Sequence, residues 1–149
     1  MNLRPAVETE ETRNITDPAI NVAAVRIEFH TGDVRAAGTD AGVFLRVGQR
    51  TFPMPEQHGK DPFERGAKDA FVFVLDPPMT LAELRAADIE VYHNSEGRNP
   101  GWFLAAIKLW VSLSHQPDKG FLYKEWKDIG WLAIDEPPNS TQVLLQQNA

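Results

Sequence analysis

An all-β fold is the class that the sequence predicts, namely an antiparallel β-sandwich of about eight strands in two sheets with one short helix. Two observations lead to it. Short segments in which apolar and polar residues alternate recur along the 149-residue chain, and such alternation is typical of strands that bury one face. Turn residues separate these segments, and a helix signal occurs only once. A chain of this length has room for one hydrophobic core, so one domain is expected.

The predicted strands follow one another closely. They cover residues 21–30, 43–47, 51–54, 69–75, 89–92 and 102–113, and aromatic residues between 121 and 131 complete the core. In the first strand Val25, Ile27 and Phe29 alternate with polar or small residues. The segment 51–54 is short and precedes a polar loop, which favours an edge strand. Asp69 stands just ahead of a Phe-rich run, and we predict that its carboxylate binds main-chain amides of the loop.

The only helix is predicted to begin after Thr80. Thr80-Leu81-Ala82-Glu83 has the Thr-x-x-Glu arrangement of a capping box, in which each of the two polar side chains accepts a hydrogen bond from the other residue's main-chain amide. Alanine and leucine favour helix at the following positions. The sequence therefore predicts one or two helical turns here.

Both ends of the chain lack this patterning. Residues 1–20 are polar and acidic without periodicity, and they are predicted to form an amino-terminal arm outside the core. The stretch 135–149 contains Pro137 and Pro138 and is predicted to be a polar tail. The sandwich domain is thus expected to span residues 21–134.

Charge and composition limit the classes of partner. The formal net charge of −6 repels phosphate groups, which argues against nucleic acid and against attachment to anionic lipid by charge alone. The chain has no cysteine, so it has no disulfide and no thiolate metal site. No run of about 20 apolar residues is present, and the first residues lack the apolar core of a secretory signal. A cytoplasmic location is therefore predicted.

Several motifs occur in a fixed order between residues 22 and 134. They are IEFHTGD at 27–33, AGTDA at 37–41, FERGAKDAF at 63–71, the Trp-initiated strand from Trp102, and KEW at 124–126 with Trp131-Leu132. In this order they resemble the PLAT domain, the lipoxygenase-homology domain of the polycystin, lipoxygenase and alpha-toxin family. The resemblance implies a domain without chemistry of its own that docks a protein to membranes, lipids or other proteins. No catalytic domain shares the chain, so the domain is predicted to stand alone.

The resemblance also implies a place for calcium, which some members of the family bind where loops meet at one end of the sandwich. The implied ligands are the carbonyls of Gly38 and Thr39, the side chain of Asp40, Asp61 or Glu56, and Asn99. Calcium takes six to eight oxygen ligands. Calcium-dependent relatives carry acidic residues at two positions where this chain has Ala36 and Pro100-Gly101. We therefore predict no obligatory cofactor, with calcium as the one candidate ion.

Three apolar side chains are predicted to contact a membrane or a partner. Phe52 and Met54 precede the polar loop, where they either form an insertion tip or pack as part of an edge strand, and edge packing is favoured. Trp110 is out of phase with Leu109 and Val111, so it is expected on the opposite face of its strand.

No catalytic constellation is apparent in the sequence. His30, His58, His93 and His115 lack the spacing of a zinc motif and are interpreted as surface or turn residues. No serine has a Gly-x-Ser-x-Gly context. The predicted function is a non-enzymatic binding module that mediates protein–protein interaction or assembly as an accessory subunit, with a protein partner or a second copy. The alternative is lipid or membrane docking, with calcium as an aid.

Overall fold

The computed structural model describes residues 2–3, 17–55, 62–97, 100–113 and 120–147. These residues form a β-sandwich with one short helix. The elements are β1 (Asn2–Leu3), β2 (Asn21–Thr31), β3 (Val43–Val47), β4 (Arg50–Pro53), β5 (Lys68–Thr80), α1 (Leu81–Ala86), β6 (Ile89–His93), β7 (Trp102–Ser112), β8 (Phe121–Leu132) and β9 (Gln142–Leu145). The only helix in the described part of the chain is six residues long, so no described helix is long enough to cross a bilayer.

The strands make two sheets that pack face to face. One sheet has the order β1-β9-β6-β3-β4 and the other the order β5-β2-β7-β8. Neighbouring strands are antiparallel except for β1 and β9, which are parallel. The predicted antiparallel sandwich with one short helix is confirmed.

The core lies between the sheets and is built from the inward residues of each alternating strand. Phe29 of β2 is fully buried, and its ring centroid lies 5.6 Å from those of Phe63 and Trp102. Such aromatic pairs contribute about 0.5–1.5 kcal/mol each beyond the area they bury. The indole N–H of Trp102 donates to Oγ1 of Thr31 at 2.9 Å, so the one polar atom of this large side chain is paired inside the core.

Helix α1 begins as predicted. The Thr80 hydroxyl accepts from the Glu83 amide at 3.1 Å, and the Glu83 carboxylate accepts from the Thr80 amide at 3.1 Å. Both halves of the capping box are therefore present. Leu81 and Leu84 are buried, which fixes the helix against the end of the sandwich.

The structure differs from the prediction at both ends of the chain. Within the predicted polar tail, β9 pairs with β6, and Val143 and Leu145 are buried in the core. In the predicted arm, β1 pairs with β9. Four residues following two prolines carry too short an alternation to predict a strand, and β9 is held by its neighbours in the sheet instead.

Candidate functional site

Four connections between strands lie at the same end of the sandwich. They join β2 to β3, β4 to β5, β6 to β7, and β8 to β9. We call this the loop end. The opposite end carries the β3–β4 turn, α1 and the β7–β8 connection, and we call it the helix end.

Thr39 ties three connections of the loop end together. Its amide donates to the Phe63 carbonyl at 3.2 Å, and its hydroxyl donates to the Pro100 carbonyl at 2.6 Å. The same oxygen accepts from the Ala41 amide at 3.1 Å. Thr39 is buried, so these bonds are shielded from water and link the loops firmly. The hydroxyl is thus engaged in holding the loops.

Asp69 holds the β4–β5 connection in place. It is buried, and its Oδ2 accepts from the Phe63 amide at 2.9 Å. Phe63 has a φ of 64°, a left-handed conformation that is unusual for an aromatic residue and that the Asp69 bond helps to maintain. The other oxygen of Asp69 is buried without a partner among the described residues. The prediction that Asp69 binds loop amides is confirmed.

Asp40 lies where the β6–β7 connection approaches the β2–β3 connection. The Asp40 side chain is exposed. A Cβ atom added to Gly97 would lie 2.9 Å from the Cβ of Asp40, so only glycine fits at this approach, and Gly97 also has a φ of 88°. Two of the predicted calcium loops therefore meet at Asp40.

A cavity of about 300 Å³ lies beside the Gly38-Thr39-Asp40 segment. Glu64 and Arg65 also line it, and Nε of Arg65 donates to Oδ1 of Asp33 at 2.9 Å. Within the described part of the chain, no three histidine or acidic side chains come close enough together to hold a metal ion. Among the described residues that line this cavity, only Asp40 and Glu64 carry carboxylates, whereas calcium takes six to eight oxygen ligands. The other predicted ligands, Glu56, Asp61 and Asn99, lie outside the described residues, so calcium stays a prediction.

A second cavity of about 300 Å³ opens between the β6–β7 and β8–β9 connections. We call it the acidic cleft. It is lined by Ala36, His93, Ser95, Pro100, Gly101, Trp131, Ile134, Asp135 and Glu136. Ile134 is 69% exposed at its mouth, and Asp135 and Glu136 form no ion pair with any described residue. An apolar side chain and two unpaired carboxylates therefore lie side by side.

His93 forms part of the cleft wall and is buried. One ring nitrogen, Nε2, lies 2.7 Å from the Leu132 carbonyl oxygen, and the other, Nδ1, accepts from the Ser95 amide at 3.0 Å. A carbonyl only accepts and an amide only donates, so the ring carries its proton on Nε2. Burial lowers the pKa of His93, and the bond to Leu132 opposes this only in part. The ring is therefore neutral and held by the main chain, so it is not free to act as a base.

The chain was compared with known proteins to determine which family it belongs to. No family model matches the chain. Over 123 residues the chain is 35% identical to the human Lipoxygenase homology domain-containing protein 1 and 36% identical to the mouse protein of that name. Each match covers 78% of this chain. The matched part of the chain spans only 5% of the length of either relative.

Solved structures share the fold. The alpha toxin from Clostridium absonum matches 78% of this chain and 30% of its own with a TM-score of 0.61 at 13% identity. The alpha-toxin of Clostridium perfringens matches 76% of this chain and 32% of its own with a TM-score of 0.56 at 17% identity.

The chain belongs to the PLAT, or lipoxygenase-homology, family. The predicted family is confirmed.

The three apolar residues predicted as contacts do not form one surface in this PLAT domain. Phe52 and Met54 are partly buried against the core, and the Phe52 ring lies 5.0 Å from that of Phe73, which agrees with edge packing. Trp110 lies on the outer face of the four-stranded sheet, as its phase predicts, with the guanidinium of Arg26 4.8 Å from its ring centroid. Contact with a membrane or partner stays a prediction for all three.

The sequence did not reveal the acidic cleft. His93 was interpreted as a surface or turn residue, and this was wrong, because it continues the inward phase of Ile89 and Val91 on β6. That alternation was the available signal. Trp131 was assigned to the core, but it is only half-buried and packs edge-on against Phe103 at 5.2 Å.

Proposed function

We propose that this PLAT domain is a non-catalytic module that binds a basic, partly apolar segment of a partner protein in the acidic cleft, and so acts as an accessory subunit. The observation that supports the proposal is the cleft itself, in which exposed Ile134 lies beside Asp135 and Glu136, whose carboxylates form no ion pair with the described residues. The predicted cytoplasmic location is part of the proposal.

The chemistry of the cleft favours a cationic side chain. Gly101 has no side chain, and Oδ1 of Asp135 lies 4.0 Å from the position that a Cβ atom on Gly101 would occupy. The Asp135 carboxylate therefore lies next to the space that this glycine leaves in the cleft wall. The half-buried Trp131 ring offers an aromatic surface for a lysine or arginine, and such contacts contribute about 0.5–1 kcal/mol at exposed sites. Ile134 adds apolar area, and the charges mainly raise the association rate. A short peptide with a basic residue next to an apolar one fits these groups.

Binding, rather than a reaction, is what the groups in the cleft support. The His93 ring is neutral, and both of its nitrogens are engaged by the main chain. A general base must reach the proton that it abstracts, and this ring has no free lone pair to offer.

Lipid docking is the second candidate, because apolar residues also project from the loop end. Val34 is 40% exposed on the β2–β3 connection, and Ile134 is 69% exposed on the β8–β9 connection. Two such side chains at one end resemble the apolar tip of a membrane-binding loop. The carboxylates beside Ile134 oppose anionic lipid, so vesicles of zwitterionic phosphatidylcholine are the suitable probe.

Selection of a random peptide library displayed on phage, with the purified PLAT domain as bait, tests the proposal. We expect enrichment of peptides that carry lysine or arginine beside an apolar residue. The Ile134→Ser variant and the double variant Asp135→Asn/Glu136→Gln should lose this enrichment. Leu113→Ser is the control, because Leu113 is an exposed apolar residue at the helix end, away from the cleft.

The same variants separate the two candidates. Peptides that bind Ile134→Ser as well as the unaltered domain would contradict the proposal, as would enrichment of acidic peptides. Co-sedimentation with phosphatidylcholine vesicles that Ile134→Ser abolishes, without any peptide enrichment, would favour lipid docking in its place.

A further inference from the structure

We propose that a second copy of this chain pairs with β5 edge to edge, in antiparallel orientation about a twofold axis at Val72. The pairing joins the two four-stranded sheets into one continuous sheet. This inference goes beyond the proposed function, since β5 lies outside the acidic cleft and a dimer leaves the cleft of each copy open.

β5 is an unusually open edge. It is 13 residues long and is the outermost strand of its sheet, whereas β1 and β4 at the edges of the other sheet have two and four residues. Between residues 70 and 75 β5 has no charged residue, proline or glycine. Natural proteins usually protect such an edge with charges or prolines, because it readily pairs with another strand.

β8, the other edge of the same sheet, is protected in this way. It has 12 residues and carries Lys124, Glu125, Lys127 and Asp128 along its length. Asp128 has a φ of 56°, which interrupts the extended conformation near its end. The contrast leaves β5 as the edge that accepts a strand.

Main-chain groups on β5 point outward at alternate residues. The Thr31 amide donates to the Ala67 carbonyl at 2.9 Å, so this pair is hydrogen-bonded across β2 and β5. Hydrogen-bonded pairs alternate in an antiparallel ladder, and the register is regular from Ala24 to His30 of β2. The amides and carbonyls of Lys68, Ala70, Val72 and Val74 therefore face away from β2. They are the groups that a second strand would bind.

Charge selects the register of the second strand. With Val72 opposite Val72 of the other copy, Lys68 lies opposite Asp76 at both ends of the paired segment, and Ala70 lies opposite Val74. Within the described residues neither Lys68 nor Asp76 has an ion-pair partner in its own chain. A shift by two residues would place Lys68 opposite Val74 or Pro78, which removes both pairs. Opposite charges at facing positions stabilise a sheet, and like charges destabilise it.

The apolar face of β5 supports the same arrangement. Val72 and Val74 are 44% and 50% exposed on the outer face, and Arg26 lies directly across from Val72 with Trp110 beyond it. In the dimer Val72 lies opposite Val72 of the other copy, and Val74 lies opposite Ala70. Each side chain then loses exposed area to its counterpart, which is favourable for apolar groups.

A closed dimer, rather than a fibre, follows from the strand's limits. The register between β2 and β5 shifts after Val74 and resumes at Met79, and Pro77 and Pro78 lie within the shift. A proline cannot donate to a sheet, so pairing ends near Asp76. A twofold contact uses the β5 edge of both copies and leaves no further open edge of this kind.

Sedimentation velocity over a dilution series of the purified chain measures the association. The expected mass is twice the monomer mass of 16.7 kDa, falling to the monomer mass on dilution. Val72→Lys should be monomeric at every concentration, because it places two cations opposite each other at the axis. Circular dichroism verifies that each variant is folded.

Charge reversal tests the register. Lys68→Glu and Asp76→Lys, each alone, should dissociate the dimer, and the combination of both should restore it. Glu96→Lys is the matched control, since it makes the same charge change as Asp76→Lys on an exposed residue of the loop end and should leave the dimer intact. In hydrogen exchange, the amides of Ala70, Val72 and Val74 should be protected only in the dimer, and that of Phe71 in both states.

A chain that stays monomeric at all concentrations overturns the proposal. A dimer that is unaffected by Val72→Lys overturns it as well, and a double reversal that stays monomeric overturns the register. None of these outcomes bears on peptide binding at the acidic cleft, which the phage selection measures independently.

Discussion

The two ends of this sandwich are held together by different kinds of contact. At the helix end a local signal begins α1, and bonds to distant segments then hold the helix in place. Thr80 and Glu83 cap α1 within one turn. The Leu81 amide donates to the Ile20 carbonyl at 2.8 Å, and the Gln147 side chain donates to the Leu84 carbonyl at 2.7 Å. At the loop end the links join distant segments, with Thr39 bonded to Pro100 and the Gly42 amide to the Asn94 side chain. Local sequence therefore sets the start of α1, whereas distant segments hold both ends, and at the loop end the buried side chains of Thr39 and Asp69 hold them.

The largest expected loss of stability follows a substitution of Asp69 at the loop end. Asp69→Ala removes the acceptor of the Phe63 amide, and a buried donor left without a partner costs about 1–3 kcal/mol. We expect the free energy of unfolding to fall by about 3 kcal/mol, measured by urea denaturation, because Phe63 also packs against Phe29 and Trp102. Peptide binding at the cleft should weaken as well. A change under about 0.5 kcal/mol, the usual range for surface substitutions, would show that the loop end does not depend on this bond.

A smaller effect is expected from the corresponding change at the helix end. Thr80→Ala removes the hydroxyl that caps α1, and loss of an N-cap typically costs about 1 kcal/mol. Thr80→Ser keeps the hydroxyl and serves as the control. Peptide binding should be unchanged in both variants, and a loss of binding in Thr80→Ala would mean that the two ends are coupled.

The stability of the domain is expected to depend on pH through His93 at the loop end. Burial lowers the pKa of His93 in the folded protein from its ordinary value of 6.5. The unfolded chain therefore binds a proton on this residue below about pH 6.5 while the folded chain does not, and stability falls as the pH drops through that value. Urea denaturation at pH 7.5 and at pH 5.5 measures the difference. His93→Gln should reduce the difference, and an equal dependence on pH in that variant would exclude His93 as its source.

Calcium is expected to have the smallest effect on stability, measured as the melting temperature. The described residues beside Asp40 do not bring together the carboxylates that calcium needs, so calcium should leave the melting temperature unchanged. Ala36→Asp adds a carboxylate at a residue that lines both cavities of the loop end and has a φ of 61°, which aspartate tolerates. A small rise with calcium in that variant alone is expected. A rise in the unaltered domain would establish a site that includes residues outside the described part.

Much of the fold could be predicted because its signals are local. Alternation placed Val25, Ile27 and Phe29 in the core, and one capping box placed α1. Strand β9 was missed because four alternating residues after Pro137 and Pro138 carry little information, and pairing with β6 decides their structure. The acidic cleft was missed for a related reason. His93 and Asp135 are far apart in the chain, and only the packing of one sheet on the other brings them to the same cavity.

The position of β9 has a consequence for the order in which the domain is made. It is the last strand in the sequence, yet it lies between β1 and β6 inside the five-stranded sheet. During synthesis on the ribosome, β1 has no neighbour and one side of β6 stays open until residue 145 has left the exit tunnel. A chain in which β9 has not yet emerged exposes the open side of β6, and such intermediates are prone to aggregate. The five-stranded sheet of the nascent domain is therefore complete only after its last strand has emerged.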